Sequence, residues 1–170
     1  MIRPGPLLLR STSAAATRAA AAVLATLSRP GDVLLLSGGL GAGKTTFAQG
    51  FGAGLGVREA ITSPTFTLVR QYPVDRHPVT AFIHADVYRL DHLGEVVELG
   101  LGELVGDTGV ALVEWGDVAE PVLGKGALTV RLEPDPDHDD HRRITVGPAD
   151  SWSDRWAALQ HDLAGWRWGR

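Results

Sequence analysis

The sequence contains no cysteine, which excludes disulfide bonds and thiolate metal sites in this chain and fits a reducing compartment. Its uninterrupted apolar runs are short, and none reaches the roughly 18 residues of a membrane-spanning helix. Positive charge is also sparse, because the net charge is -4 and no basic cluster is larger than the pair Arg142-Arg143. These features predict a cytoplasmic protein that does not bind nucleic acid strongly by itself.

Acidic residues are missing from the first part of the chain, where none occurs before Asp32 and arginines are interspersed with Ser, Thr and Ala. Organelle transit peptides share that composition. However, residues 7–10 have a strand pattern, and residues 11–27 have an Ala-rich helix pattern that ends at Arg29-Pro30-Gly31. Because both patterns continue into the next strand without a linker, we interpret this segment as structural rather than as a targeting signal.

Lysine is almost absent, since Lys44 and Lys125 are the two lysines among 16 basic residues. Lys44 lies in GGLGAGKT at residues 38–45, which fits the phosphate-binding pattern G-x-x-x-x-G-K-[ST]. An apolar strand pattern over residues 33–36 precedes the loop, and a helix start follows it. Backbone N–H groups of the loop and of the helix N-terminus would together bind a phosphate chain, so this order of elements predicts a nucleotide site.

The loop residues predict ATP together with Mg²⁺. Lys44 is expected to reach the β and γ phosphates as a compact cation, and the Thr45 hydroxyl is expected to hold Mg²⁺. The nucleotide-binding residues predicted from the loop are Gly38, Gly41, Ala42, Gly43, Lys44 and Thr45.

Two carboxylates at strand ends are candidates for a second metal anchor. Glu114 follows the apolar run 110–113 in a Walker B pattern, and it would hold Mg²⁺ or orient the attacking water. Its alternatives are a helix cap or a pair with an arginine. Asp86 ends another strand, on the face that also carries His84 and Tyr88. It is a rival for the metal role or a general base, and its alternatives are a helix cap or an ion pair with the neighbouring arginine.

A γ-phosphate sensor is predicted in Ser63-Pro64-Thr65, which follows the helix after the phosphate loop. Thr65 would bond the γ phosphate or a metal-bound water and would order the loop only in the triphosphate state. The alternative is an ordinary turn with Pro64 at a strand entry.

The histidine-rich and acidic run Asp135–His141 has metal-ligand residue types but lacks calcium-loop spacing. It lies between two predicted strands, and we interpret it as a solvated hairpin loop. Four tryptophans lie near the C-terminus: Trp152 and Trp156 are expected in the core, while Trp166 and Trp168 are candidates for an exposed contact surface.

Hydrophobic periodicity predicts one α/β domain over residues 1–170, with a mixed parallel and antiparallel sheet flanked by helices. The predicted strands are 6–10, 33–37, 66–72, 79–85, 110–113, 128–132 and 143–146. The predicted helices are 13–28, 44–54, 91–104 with an interruption at Gly100, and a last one over 151–164 that Ser151 caps. Hairpin loops are expected at 73–78 and 133–141.

Four blocks occur in an order that resembles the TsaE (YjeE) family of P-loop ATPases: SGGLGAGKTTF at 37–47, TSPTFTLV at 62–69, HADVYRL at 84–90 and LVEW at 112–115. The second and third blocks are far more specific than the phosphate loop. The resemblance covers the chain from Leu7 to about Val146. It implies a mixed sheet with an ATP site, in a protein needed to make threonylcarbamoyladenosine in tRNA.

The resemblance also implies roles for single residues. Thr46 is the next loop hydroxyl and binds nucleotide, Thr65 is the switch threonine, and Glu114 is the Mg²⁺ contact. Asp86 is then left for catalysis or water positioning, together with Lys44, and Trp115 is a candidate contact to nucleotide or partner. Gly39 departs from the family, which usually has an acidic residue there. The segment 11–13 is the family's candidate approach to the adenine.

For activity, the resemblance implies slow ATP hydrolysis that supports repeated turnover of a complex of TsaD and TsaB, with tRNA met only through that complex. The rival interpretation is a small-molecule or nucleotide kinase with the same loop, although the chain has no long Arg-rich insertion for a lid. A further alternative is an interaction module in which the nucleotide is structural.

Overall fold

A seven-stranded mixed sheet organises the chain in the computed structural model, which describes residues 3–64, 68–88, 90 and 92–169. The strand order is β1-β7-β6-β2-β5-β4-β3. The strands are β1 Leu7–Ser11, β2 Val33–Ser37, β3 Val69–Arg76, β4 Val79–Asp86, β5 Gly109–Glu114, β6 Leu128–Pro134 and β7 Arg142–Gly147. The predicted α/β class with a mixed sheet is therefore confirmed.

The four central strands β6, β2, β5 and β4 run parallel, and antiparallel strands flank them on both sides. In the parallel register Leu36 of β2 and Asp86 of β4 both pair with Glu114 of β5. The carboxyl ends of these strands therefore lie at one sheet edge, where ligands bind in such folds. The phosphate loop leaves β2 at the same edge.

Helices cover both faces of the sheet. On one face, α1 Ala14–Leu27, α2 Lys44–Leu55 and α6 Trp156–Asp162 contribute to the larger hydrophobic core. On the other face, α3 Leu93–Glu98, α4 Leu101–Val105 and α5 Gly116–Leu123 bury a second cluster against β4 and β5. The central strands are buried on both sides, which explains why their sequences are continuous apolar runs.

Helices α1 and α2 approach each other closely because their facing residues are small. A Cβ on Gly50 would lie 2.3 Å from the Arg18 carbonyl oxygen, and a Cβ on Gly54 would lie 2.7 Å from Ala22 Cα. These glycines are one helical turn apart on α2 and meet the Ala-rich stripe of α1. The interpretation of the N-terminal segment as a structural helix is confirmed, and this contact fixes the helix that follows the phosphate loop.

Two predicted elements differ from the structure, and one helix was not predicted. The first hairpin has a shorter loop than 73–78, because β3 continues to Arg76 and the turn is at His77-Pro78. Helix α5 was not predicted. The last α-helix does not begin at Ser151: a 3₁₀-helix, Asp150–Arg155, precedes α6, and the Ser151 hydroxyl donates to the Gly126 carbonyl instead of capping a helix. The break at Gly100 between α3 and α4 is confirmed.

The predicted burial of the four C-terminal tryptophans is confirmed for three of them and wrong for one. Trp152 and Trp156 are buried in the core. Trp166 is half-buried and its Nε1 donates to the Ala16 carbonyl, so the prediction of an exposed side chain was wrong for this residue. Trp168 is 37% exposed and lies between the guanidinium groups of Arg10 and Arg143. Within the described residues, no helix is both long enough and apolar enough to cross a membrane.

Candidate nucleotide site

The loop between β2 and α2 has the backbone shape that its glycines allow. Gly38, Gly41 and Gly43 have φ angles of 151°, 73° and 101°, which disfavour any residue with a Cβ. A Cβ on Gly38 would also lie 2.5 Å from the Leu132 carbonyl oxygen of β6. Gly43 is the N-cap residue of α2, so the loop leads directly to the free N–H groups of a helix N-terminus.

The Lys44 ammonium group lies inside this loop. Its Nζ donates to the carbonyl oxygens of Gly38 and Gly39, at 2.7 Å each, and lies 4.0 Å from the centre of the Trp115 ring. Burial lowers the pKa of Lys44, and the nearby carboxylates of Glu114, Asp86 and Asp117 oppose that shift without cancelling it. Lys44 is thus a partly desolvated cation at the place where a phosphate chain would lie.

Glu114 and Thr45 form a pair of oxygen donors next to Lys44. The Thr45 hydroxyl donates to Glu114 Oε1 at 3.4 Å, while Glu114 Oε2 lies 2.9 Å from His84 Nε2. Both Glu114 and His84 are buried. A hydroxyl and a carboxylate are ligands that suit Mg²⁺, and His84 fixes which carboxylate oxygen faces Thr45. Of the two predicted carboxylates, Glu114 is therefore the one in contact with the Thr45 hydroxyl.

Asp86 lies beside Glu114 but makes different contacts. Its Oδ1 accepts from the Tyr88 backbone N–H at 3.0 Å, and its Oδ2 accepts from the Ser63 hydroxyl at 3.4 Å. The first bond stabilises the turn after β4, and the second ties Asp86 to the predicted switch segment. Thr65 and the arginine at position 89 lie outside the described residues.

Trp115 closes one side of the site. Its backbone has a φ angle of 60°, in the left-handed region that is uncommon for a bulky residue. This conformation begins α5 and turns the indole ring toward Lys44, and the ring also contacts Tyr88 at 4.7 Å between centroids. Strained residues of this kind concentrate at functional sites. The predicted contact residue Trp115 is therefore part of the site.

These side chains surround a cavity of about 440 Å³. In this cavity, five predicted loop residues, Gly41, Gly43, Lys44, Thr45 and Thr46, lie together with both predicted carboxylates, Asp86 and Glu114. Its lining comprises Leu40, Gly41, Gly43, Lys44, Thr45, Thr46, Ser63, Asp86, Tyr88, Glu114, Trp115 and Arg142. The other two predicted loop residues, Gly38 and Ala42, belong to the loop but are not among the lining residues. The Gly38 carbonyl accepts a hydrogen bond from Lys44, and Ala42 is fully buried.

Arg142 is the site residue that the sequence did not indicate. It begins β7, about a hundred positions from the loop, yet its Nε donates to the Ala42 carbonyl at 3.0 Å and its Nη2 to the Gly41 carbonyl at 3.2 Å. No local motif marks this arginine, and only the pairing of β7 with β6 places it at the phosphate loop.

A second cavity of about 290 Å³ lies against the same loop residues, Gly43 and Thr46. Its other lining residues are Ser13, Ala14, Thr17, Asp140 and Arg142, so Ser13 is the residue of the predicted segment 11–13 that lines this cavity. Gly39, the predicted departure from the family pattern, has open space next to its Cα, because an added Cβ atom would meet nothing within 4 Å.

The sequence is similar to known proteins over most of its length. Residues 11–144 match the family model described as Threonylcarbamoyl adenosine biosynthesis protein TsaE. A protein named tRNA threonylcarbamoyladenosine biosynthesis protein TsaE from Bacillus subtilis (strain 168) is 41% identical over 136 residues, covering 80% of this chain and 82% of that protein. A protein of the same name from Streptomyces coelicolor is 42% identical over 136 residues, covering 76% of this chain and 89% of that protein.

The fold is similar to that of a solved relative. The crystal structure of Bacillus subtilis YdiB matches with a TM-score of 0.71 and 33% sequence identity, and the match covers 97% of each chain. The similarity in fold thus includes the C-terminal region beyond residue 144, where the family model ends.

Proposed function

The chain belongs to the TsaE family of tRNA threonylcarbamoyladenosine biosynthesis proteins, and from this premise we propose that it binds and slowly hydrolyses ATP to support that biosynthesis. The observation that carries the proposal is the convergence of Lys44, Thr45, Asp86 and Glu114 on one cavity beside a phosphate-loop backbone. Each of these side chains has a chemical counterpart in a magnesium-bound triphosphate.

The phosphate chain would lie along the loop, where the helix N-terminus and the loop amides attract negative charge. Lys44 now donates to two loop carbonyls, and it would exchange those bonds for phosphate oxygens, which carry full charge. Because Lys44 is already partly desolvated, less hydration is lost when the phosphates arrive than a fully exposed lysine would lose. The neighbouring cavity that Ser13 and Thr17 line has room for the base and sugar.

Thr45 and Glu114 would hold Mg²⁺, since they are adjacent oxygen donors beside the predicted phosphate position. When bound, the ion would neutralise charge that develops on the phosphate oxygens. We assign Asp86 the role of positioning the attacking water, because its carboxylate lines the same cavity and is held by Tyr88 and Ser63.

The switch role is assigned to the segment that contains Ser63 and Thr65. Ser63 lines the cavity and contacts Asp86, so loss of the terminal phosphate would change the surroundings of this segment. We propose that the complex of TsaD and TsaB, in the cytoplasm, reads this surface. In this scheme tRNA contacts the complex rather than this chain, whose net charge is -4.

A reconstituted assay with TsaD, TsaB, tRNA, a threonylcarbamoyl donor and ATP tests the proposal. The parent protein should support many rounds of tRNA modification, whereas Lys44→Ala and Asp86→Asn should limit the reaction to about one round. Matched controls are available in Lys125→Ala, the other lysine of the chain, and Asp75→Asn, an exposed carboxylate far from the cavity. Full turnover with Lys44→Ala would contradict the proposal.

A further inference from the structure

The loop between β6 and β7 brings three metal-ligand side chains together. One ligand atom from each of Asp135, His138 and His141 lies within 4.8 Å of the other two. The predicted hairpin loop is confirmed, but it is not uniformly solvated, because Asp135 is 7% exposed and His141 is half-buried. The three residues follow one another at intervals of three positions in the loop that joins β6 to β7.

The backbone of this loop is ordered by its own hydrogen bonds. The N–H of Asp135 donates to the His141 carbonyl at 3.1 Å, and the N–H of His141 donates to the His138 carbonyl at 3.1 Å. The two imidazole rings are nearly parallel, with centroids 4.3 Å apart and planes at 7°. The backbone of the loop is therefore already folded, and metal binding requires only side-chain movement: one imidazole ring must rotate out of the stack so that both rings direct a nitrogen at the same ion.

Two of these three side chains already contact a cation, the Arg10 guanidinium. Arg10 Nη2 lies 3.0 Å from His141 Nδ1, and a guanidinium group can only donate, so Nδ1 carries no proton and offers its lone pair. The Asp135 carboxylate accepts a hydrogen bond from the Asp137 backbone N–H at 3.0 Å through Oδ1, and its Oδ2 lies 3.9 Å from Arg10 Nε. The Arg10 guanidinium therefore lies where a cation contacts both His141 and Asp135.

We propose that Asp135, His138 and His141 form a binding site for a first-row divalent metal ion, for which Zn²⁺ is the best match. Two imidazole nitrogens and one carboxylate are a common three-ligand set for zinc, with water in the fourth position. Binding would displace the Arg10 side chain, which is 38% exposed and also stacks on the exposed Trp168 ring. This site contains imidazole nitrogens, whereas Thr45 and Glu114 at the phosphate loop offer only oxygen atoms.

The position of the loop gives such a metal a second effect, which rests on the proposed nucleotide site. Arg142 Nη1 donates to the carbonyls of Asp139 and His141, at 2.7 and 2.8 Å, and the same guanidinium donates to the loop carbonyls of Gly41 and Ala42. A metal ion that fixes the hairpin loop would therefore also fix Arg142 against the phosphate loop. Metal binding itself does not depend on this coupling, so it is measured without nucleotide.

The test uses the untagged full chain without nucleotide, titrated with Zn²⁺ in a calorimeter and with Co²⁺ while visible absorption is recorded. We expect one strong site per chain, with affinity at least tenfold weaker in His138→Ala and in Asp135→Asn. His161→Ala, which removes an exposed histidine of α6, should bind like the parent. His138 is exposed, so its replacement leaves the core intact. Equal affinity in the parent and His138→Ala would overturn the proposal, as would an equal loss in His161→Ala.

Discussion

At the scale of single residues, Lys44 illustrates a trade between stability and binding. Its charge is partly removed from water, and it contacts two backbone carbonyls and the Trp115 ring. Such a group costs stability in the free protein, and it is retained because the site needs a cation there. The lowered pKa of Lys44 is the consequence of the same burial.

This burial predicts a stability effect with a defined pH dependence. Because the folded-state pKa of Lys44 lies below its unfolded value of 10.5, folding with the lysine charged is penalised at neutral pH. Lys44→Met should therefore be more stable than the parent at pH 7.5 without nucleotide. The difference should shrink as the pH rises through the folded pKa toward 10.5. Urea unfolding of both proteins at several pH values measures it, and a less stable Lys44→Met at pH 7.5 would show that the penalty is absent.

His84 is predicted to act through Glu114 rather than on nucleotide directly. In His84→Phe an aromatic ring remains at this position but the bond to Glu114 Oε2 is lost, so the carboxylate is free to rotate away from Thr45. We expect the Mg²⁺ affinity of the ATP-bound protein to fall about tenfold or more, while ATP binding without Mg²⁺ changes little.

Titration calorimetry with Mg²⁺ separates these two effects. Tyr72→Phe is the matched control, because it removes a polar atom from the neighbouring strand β3 and does not touch Glu114. Unchanged Mg²⁺ affinity in His84→Phe would mean that the His84 contact is structural only.

At the scale of secondary-structure elements, the close contact between α1 and α2 holds the helix that follows the phosphate loop. Gly50→Ala would insert a methyl group 2.3 Å from the Arg18 carbonyl oxygen, so the helices must separate. We expect a loss of about 1–3 kcal/mol in the free energy of unfolding, measured with urea.

A comparable glycine in a helix without such a contact gives the control. A Cβ on Gly102 of α4 would meet nothing within 4 Å, and alanine is the better helix former, so Gly102→Ala should be neutral or stabilising. Equal destabilisation by both substitutions would contradict the packing argument.

The elements that the sequence predicted best are those with strong local signals. The strands β2 and β5 are continuous apolar runs, and the loop after β2 carries its own motif. Helix α5 was missed because Gly116 and Pro121 resemble breaks, although Pro121 is tolerated within that helix. Ser151 resembled a helix cap, but its hydroxyl has a tertiary partner that no local pattern reveals.

In the candidate site, too, the residues with local sequence signals were predicted and those placed by tertiary contacts were not. Lys44, Thr45, Glu114 and Asp86 were predictable because strand ends and a loop motif mark them, and parallel pairing brings strand ends together. The position of Arg142 depends on the register of a hairpin far along the chain, and the His84 bond to Glu114 depends on side-chain geometry across two strands. Long-range contacts of this kind leave no local pattern in a single sequence.

At the scale of the whole molecule, the proposed nucleotide site combines parts from both halves of the chain. The hairpin β6–β7 supplies Arg142 on one side of the phosphate loop, while β4 and β5 supply the carboxylates on the other. A partner that shifts either side would therefore change the site. We expect slow ATP hydrolysis by the isolated protein and faster hydrolysis when TsaD and TsaB are added together.

Steady-state release of phosphate measures this stimulation, and Lys44→Ala with the same partners gives the background. Rapid hydrolysis by the isolated protein that TsaD and TsaB leave unchanged would contradict a partner-controlled switch.

The most direct test of the account is calorimetric titration of the isolated protein with ATP in the presence and absence of Mg²⁺. We predict one site per chain that binds ATP more tightly with Mg²⁺, and no measurable binding to Lys44→Ala under conditions where Lys125→Ala binds like the parent. Absence of Mg²⁺-dependent ATP binding by the folded parent protein, or equal binding by Lys44→Ala, would contradict it.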